Sequence, residues 1–176
     1  GESESAQTFR VVGDPTEGAL LVAAAKAGRP YREIHEAYPR ENEIPFDSER
    51  KRMITIHDII EPKPDDFSPF YDKKHKGWDI IVVKGAPDVV LELCTSYQAM
   101  NDETEPLDAK AKKRILDAND AMTADALRVL GLAYRVEKDV PNGEITPEQV
   151  EKDLVFVGLI GMIDPPRMEV APALDR

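Results

Sequence analysis

At 176 residues the chain is most simply one domain, and a hydrophobic content of 41% is ample for a core of that size. Thirty-four acidic against 23 basic residues leave a net charge of −11, so the chain as a whole repels nucleic acid and acidic lipid, and any anion it binds must meet a local cluster of positive charge. A single cysteine, Cys94, excludes an internal disulfide and fits a reducing compartment. The scattered His35, His57 and His75 have no zinc-ligand spacing, and the longest apolar run, Leu154 to Ile163, is too short to cross a bilayer.

The first residues, Gly1-Glu2-Ser3-Glu4-Ser5, lack the basic and then apolar pattern of a signal peptide and read as a flexible, cut end. Asp14-Pro15-Thr16-Glu17 combines an N-cap acid, a proline at the first helical position and a glutamate three residues after the cap. With Ala19, Leu20, Val22, Ala23 and Ala24 following and Gly28 closing the element, a helix is predicted over 15–27. Ile44-Pro45-Phe46 reads as a short extended piece. Ile54 and Ile56 alternate with Thr55 and His57, which predicts a strand over 53–60 with one wet face. Pro62, Pro64, Pro69 and Asp72-Lys73-Lys74 mark an exposed loop joining two antiparallel strands.

The run Ile80-Ile81-Val82-Val83 predicts a buried strand over 78–84, ending in Lys84. Gly85-Ala86-Pro87-Asp88 then turns into a helix near 87–95, with Pro87 in its first turn and Asp88 at its positive end. Gln98 to Pro106 is polar and reads as a loop. A long helix is expected from Asp108, because Ala111, Ile115, Ala118, Met122 and Ala126 recur on one face while Lys110, Lys112, Lys113 and Arg114 cluster in its first half. Val129 to Val136 is strand-like, Pro141-Asn142-Gly143 is a turn, Thr146-Pro147-Glu148 caps a short helix, and Leu154 to Ile163 forms a last strand. Met168 to Leu174 begins an apolar-periodic segment and stops, as in an excised piece of a longer protein. Strands joined by hairpins and loops, without regular βαβ alternation, predict an α+β domain: a twisted, mainly antiparallel sheet flanked by helices.

A lysine at a strand end beside a helix N-terminus is a place for phosphate, and equally a surface lysine at a turn. The chain has no Gly-x-x-x-x-Gly-Lys-Ser/Thr loop, no Gly-x-Gly-x-x-Gly, no Gly-x-Ser-x-Gly and no His-Glu-x-x-His, so the usual phosphate-loop explanations do not apply to Lys84. The acid pairs Asp14/Glu17 and Asp47/Glu49 read as a helix cap and as surface charge, which leaves no catalytic or metal-ligating residue assigned in this chain.

Gly13-Asp14-Pro15-Thr16-Glu17-Gly18-Ala19-Leu20, Pro45-Phe46-Asp47-Ser48-Glu49-Arg50-Lys51-Arg52-Met53, Val83-Lys84-Gly85-Ala86-Pro87, Ala126-Leu127-Arg128-Val129-Leu130-Gly131-Leu132-Ala133 and Gly161-Met162-Ile163-Asp164-Pro165-Pro166-Arg167 follow one another in order. From about residue 11 to about 170 the chain resembles the nucleotide-binding domain of P-type cation-transporting ATPases of type II, calcium-pump-like above all. The resemblance implies a nucleotide-binding domain over 1–163, truncated at its N-terminal side, and a hinge with the return into the phosphorylation domain over 164–176.

By this resemblance Phe46 is the platform on which adenine stacks, a role that suits a ring set between Pro45 and the charged Arg50-Lys51-Arg52. Lys84 belongs near adenine and ribose, Gly85 and Ala86 keep the pocket floor low, and Glu17 faces the adenine amino group, with its capping role as a competing explanation. Arg128, with Leu130 beside it in the site, reaches the phosphates; Lys51 is either a second phosphate-side cation or part of a solvated face. Ser48 stands where the calcium pumps of animal muscle carry an arginine, so one phosphate contact is either unmade or supplied by Arg50.

Asp164, Pro165, Pro166 and Arg167 correspond to a hinge strand that the paired prolines make directional. The implied ligand is ATP with Mg2+ carried by the nucleotide. The implied partners are the phosphorylation and actuator domains of the same polypeptide, with no nucleic acid and no membrane insertion of this segment. The parent is implied to be a hydrolase and translocase whose nucleotide domain sits on the cytoplasmic face of a membrane. The Asp-Lys-Thr-Gly, Thr-Gly-Glu and Gly-Asp-Gly motifs of that family are missing from the sequence, so the isolated chain is expected to be inactive. The competing reading is a protein-interaction module that docks a partner through Lys110 to Arg114 and the proline-rich loop.

Overall fold

The computed structural model describes residues 15–26, 28, 31–61, 73–100, 103–141 and 143–163. Asp14 and the hinge residues Asp164, Pro165, Pro166 and Arg167 lie outside them. The chain runs α1 (Pro15–Lys26), α2 (Tyr31–Ala37), β1 (Arg40–Asp47), β2 (Arg52–Asp58), a 3-10 turn (Lys73–His75), β3 (Asp79–Gly85) and α3 (Pro87–Glu92). It continues through β4 (Cys94–Gln98), β5 (Thr104–Pro106), α4 (Ala109–Ala124), β6 (Arg128–Glu137), α5 (Pro147–Val150) and β7 (Leu154–Met162). Seven strands form one sheet in the order β1-β2-β3-β6-β7-β4-β5. Every pairing is antiparallel except β4 with β7, so the α+β architecture expected from the sequence is the one observed.

β3 explains the sheet's centre. Ile81 and Val83 face one side with Ile54, Ile56, Ala133 and Phe156, beneath Val90 and Leu91 of α3. Ile80 turns to the other side and joins Ala37, Tyr38, Ile59 and Tyr134, with Val82 packed against that cluster. A strand buried on both faces must be apolar throughout, which is why this run was so legible. α4 packs Ile115 and Leu116 over the first face, buries Ala111, and is capped by Asp108, whose Oδ1 accepts from the Ala111 N–H at 2.7 Å.

Several expectations need correction. α2 is an element the sequence pattern does not predict: among its described side chains Arg32, Ile34, His35 and Glu36 are exposed and Ala37 is buried, which makes no apolar stripe. β1 is longer than its extended core of Ile44-Pro45-Phe46, reaching back to Arg40. It is an edge strand, where charged residues are tolerated and Pro45, lacking an N–H, does no harm. The polar segment expected to be a loop contains β4's end and β5, paired as a hairpin through Tyr97↔Glu105 and Gln98↔Thr104. α3 stops at Glu92, short of residue 95, because Cys94 already pairs with Leu154. α4 ends at Ala124, so Ala126 is not on its stripe; it has left the helix with φ +59°.

Candidate functional site

The antiparallel register sets Arg52 of β2 and Gly131 of β6 on either side of Gly85, the last residue of β3. A cleft of about 510 Å³ opens at this end of the central strands, within the range of small-molecule sites. α1 contributes Thr16 and Glu17, β1 contributes Phe46, the turn before β2 contributes Lys51, and β2 contributes Met53. The end of β3 supplies Lys84 and Gly85, followed by Ala86, and the start of β6 supplies Arg128, Val129 and Leu130.

Phe46 is 63% exposed, an unusual state for a phenylalanine, with its ring in the cleft wall. Lys84 is half-buried, and its Nζ lies 2.8 Å from Glu17 Oε1, so that the strand-end cation meets a carboxylate from α1. Gly85, in the cleft lining, is a glycine for a backbone reason. A Cβ there would stand 2.4 Å from the Lys51 carbonyl oxygen and 2.6 Å from Arg52 Cβ, so β2 can approach only a glycine. The Ala86 N–H then donates to that same Lys51 carbonyl at 3.0 Å.

The β1–β2 turn is built by Asp47. Its Oδ1 accepts from the N–H groups of Glu49 at 2.9 Å and Arg50 at 2.7 Å, and its carbonyl accepts from the Lys51 N–H at 2.7 Å. Lys51 closes the turn in the left-handed region with φ +54°. Ser48 is exposed in this turn and does not line the cleft. The Arg50 guanidinium is bound to Glu151, and neither residue lines the cleft. Arg52 donates to the same carboxylate, through Nε at 2.8 Å and through Nη2. Burial alone would raise the Glu151 carboxyl, but the hydrogen bonds from Arg52 and Arg50 outweigh it and hold the group below its ordinary value.

Thr16, Met53 and Val129 line the cleft without having been singled out, each one residue or two from a residue that was. Their signal was that adjacency and their place inside three of the quoted motif segments. The α4 cations expected as a docking cluster are dispersed: Lys112 pairs with Glu92 at 3.3 Å, Lys113 with Asp117 at 2.6 Å, and Arg114 lies over the Tyr97 ring at 5.4 Å. Among the described residues no group of His, Cys, Asp and Glu side chains is arranged to hold a metal ion. No helix among them is long and apolar enough to cross a membrane.

Residues 1–169 match the family model of the P-type ATPase, cytoplasmic domain N. The calcium-transporting ATPase 1 of Lactococcus lactis subsp. lactis is 37% identical over 169 residues, covering 96% of this chain and 17% of the relative. A calcium-transporting ATPase of Bacillus subtilis is 40% identical over 165 residues, covering 92% of this chain and 16% of the relative. The calcium-transporting ATPase 1 of Bacillus cereus is 38% identical over 162 residues, again 92% and 16%. The chain thus spans about one sixth of the length of these curated relatives. With a match that runs through every cleft-lining segment, the chain belongs to the P-type ATPase cytoplasmic domain N family.

Proposed function

We propose that this chain is the ATP-binding part of a P-type cation-transporting ATPase, at the cytoplasmic face of a membrane, with calcium as the cation on the strength of its relatives' names. The observation that carries the reading is one cleft combining an exposed aromatic ring, a carboxylate and three cations: Phe46, Glu17, Lys84, Lys51 and Arg128. Phe46 offers a face on which adenine stacks, worth about 1–3 kcal/mol for a base on an aromatic ring. Glu17 accepts a hydrogen bond from the adenine amino group, and Lys84 beside it serves the nucleoside end. Arg128 and Lys51 supply positive charge to the phosphates, the forked guanidinium suiting paired phosphate oxygens.

These residues fit a nucleotide with its Mg2+ carried on the phosphates, where the ion neutralises charge; in this chain the work is binding and orientation. The γ-phosphate is then presented to an aspartate in another domain of the same polypeptide, with residues 164–167 as the hinge strand. A titration of the isotopically labelled chain with ATP tests the reading. Resonance shifts centred on Phe46, Lys84 and Arg128 support it. Their absence, together with a silent Phe46→Ala variant, favours a protein-interaction module instead.

A further inference from the structure

Among the described residues Glu151 is the most enclosed carboxylate in an ion pair, with a side chain only 7% exposed between two arginines at 23% and 17%. Arg50 and Arg52 are the residues immediately before and after Lys51. Both guanidiniums converge on that one carboxylate, with the second also donating through Nη1 to the Arg50 carbonyl at 2.9 Å. Lys51, between them, lines the cleft instead. Glu151 is itself fixed: its N–H donates to the Pro147 carbonyl at 2.8 Å, and its neighbours Val150 and Leu154 are fully buried in the core.

Packing does not account for this arrangement. The Arg50 Nε is buried with no hydrogen-bond partner among the described residues, and a buried ion cluster is commonly no more stabilising than apolar side chains of equal volume. What the cluster does is geometric: it ties both flanks of a left-handed lysine to Glu151 at the end of α5, through side chains that do not line the cleft.

We propose that Glu151 is a positioning residue that acts through Lys51, holding the β1–β2 turn so that the lysine faces the phosphate end of a nucleotide. The ligand half of this inference rests on the nucleotide reading above. The positional half does not.

The test uses Glu151→Gln, and Arg50→Met as a milder second variant that keeps the Arg52 fork on Glu151. In either folded variant the Lys51 Cα and Cβ resonances are expected to leave the values of a left-handed residue while those of Val83 and Leu91 stay in place. ATP affinity is expected to fall about threefold and AMP affinity to hold, as befits one solvent-screened cation. In a Lys51→Ala background Glu151→Gln is expected to change ATP affinity no further. Unmoved Lys51 resonances in both variants, or an ATP loss that persists without Lys51, overturn the proposal. If the unaltered chain binds no ATP while the Lys51 resonances move as expected, the nucleotide reading fails and the positioning role stands.

Discussion

Lys84 Nζ and Glu17 Oε1 stand 2.8 Å apart, joining the end of β3 to the first turn of α1 across 67 residues of sequence. The glutamate side chain is 48% exposed, so screening keeps the pair within roughly 0–1 kcal/mol, and a ligand can separate it at small cost. A lysine already matched to a carboxylate is a poor place for a second anion. Lys84→Ala is therefore expected to weaken AMP about as much as ATP in parallel calorimetric titrations. A loss confined to ATP would return Lys84 to the phosphates.

Phe46→Ala removes the stacking face while leaving the fold almost untouched, because the ring is 63% exposed. Binding of AMP is expected to weaken by about 1–3 kcal/mol, and the unfolding midpoint to move by no more than about 0.5 kcal/mol equivalent. Phe46→Trp should retain binding. A large drop in stability would mean that the ring is a core residue after all.

Gly85→Ala sets a methyl group against the Lys51 carbonyl, which cannot move without releasing the Ala86 N–H. A loss of about 1–3 kcal/mol in urea unfolding is expected, the usual range for overpacking. The β1–β2 turn should lose its native resonances first. Wild-type stability in this variant would show that β2 has room to recede.

Acid should weaken the fold in two stages. Burial lowers the His57 imidazole below its ordinary 6.5, against the raising effect of the Tyr38 carbonyl 3.0 Å from Nδ1. The unfolded chain thus takes up this proton first, and stability falls as pH drops below 6.5 towards the folded value. Glu151 is likewise depressed, from 4.5, so its contribution is complete above that pH and is lost as pH falls below it through the folded value. Urea midpoints measured from pH 7 to 3 should show both limbs, and Glu151→Gln should make the lower one shallower, where Glu148 is also depressed and Asp79 raised, and leave the upper one unchanged.

Legibility in the sequence followed burial and locality. Ile80 to Val83 is apolar on both faces and α4 carries its own cap, so each announced itself within a few residues. β1 and β5 sit at the two edges of the sheet, where exposed positions erase the alternation that marks a strand. Glu17, Phe46, Lys84 and Arg128 come from four different elements, and no local pattern joins them; the ordered resemblance did, and the fold sets all four around one cleft. The Glu151 clamp had no such help. Its partners lie 99 and 101 residues away, and a glutamate after a short helix looks like any surface acid.

Lys51 has one more consequence. Its φ of +54° is a conformation that glycine adopts freely and that a side chain makes about 1 kcal/mol or more less comfortable. A glycine there would fold at least as well and would leave the turn's hydrogen bonds in place. The chain carries a lysine instead, so an amine stands at the cleft wall at some cost to the turn: a glycine turn would be the more relaxed one and would leave that stretch of wall without a charge.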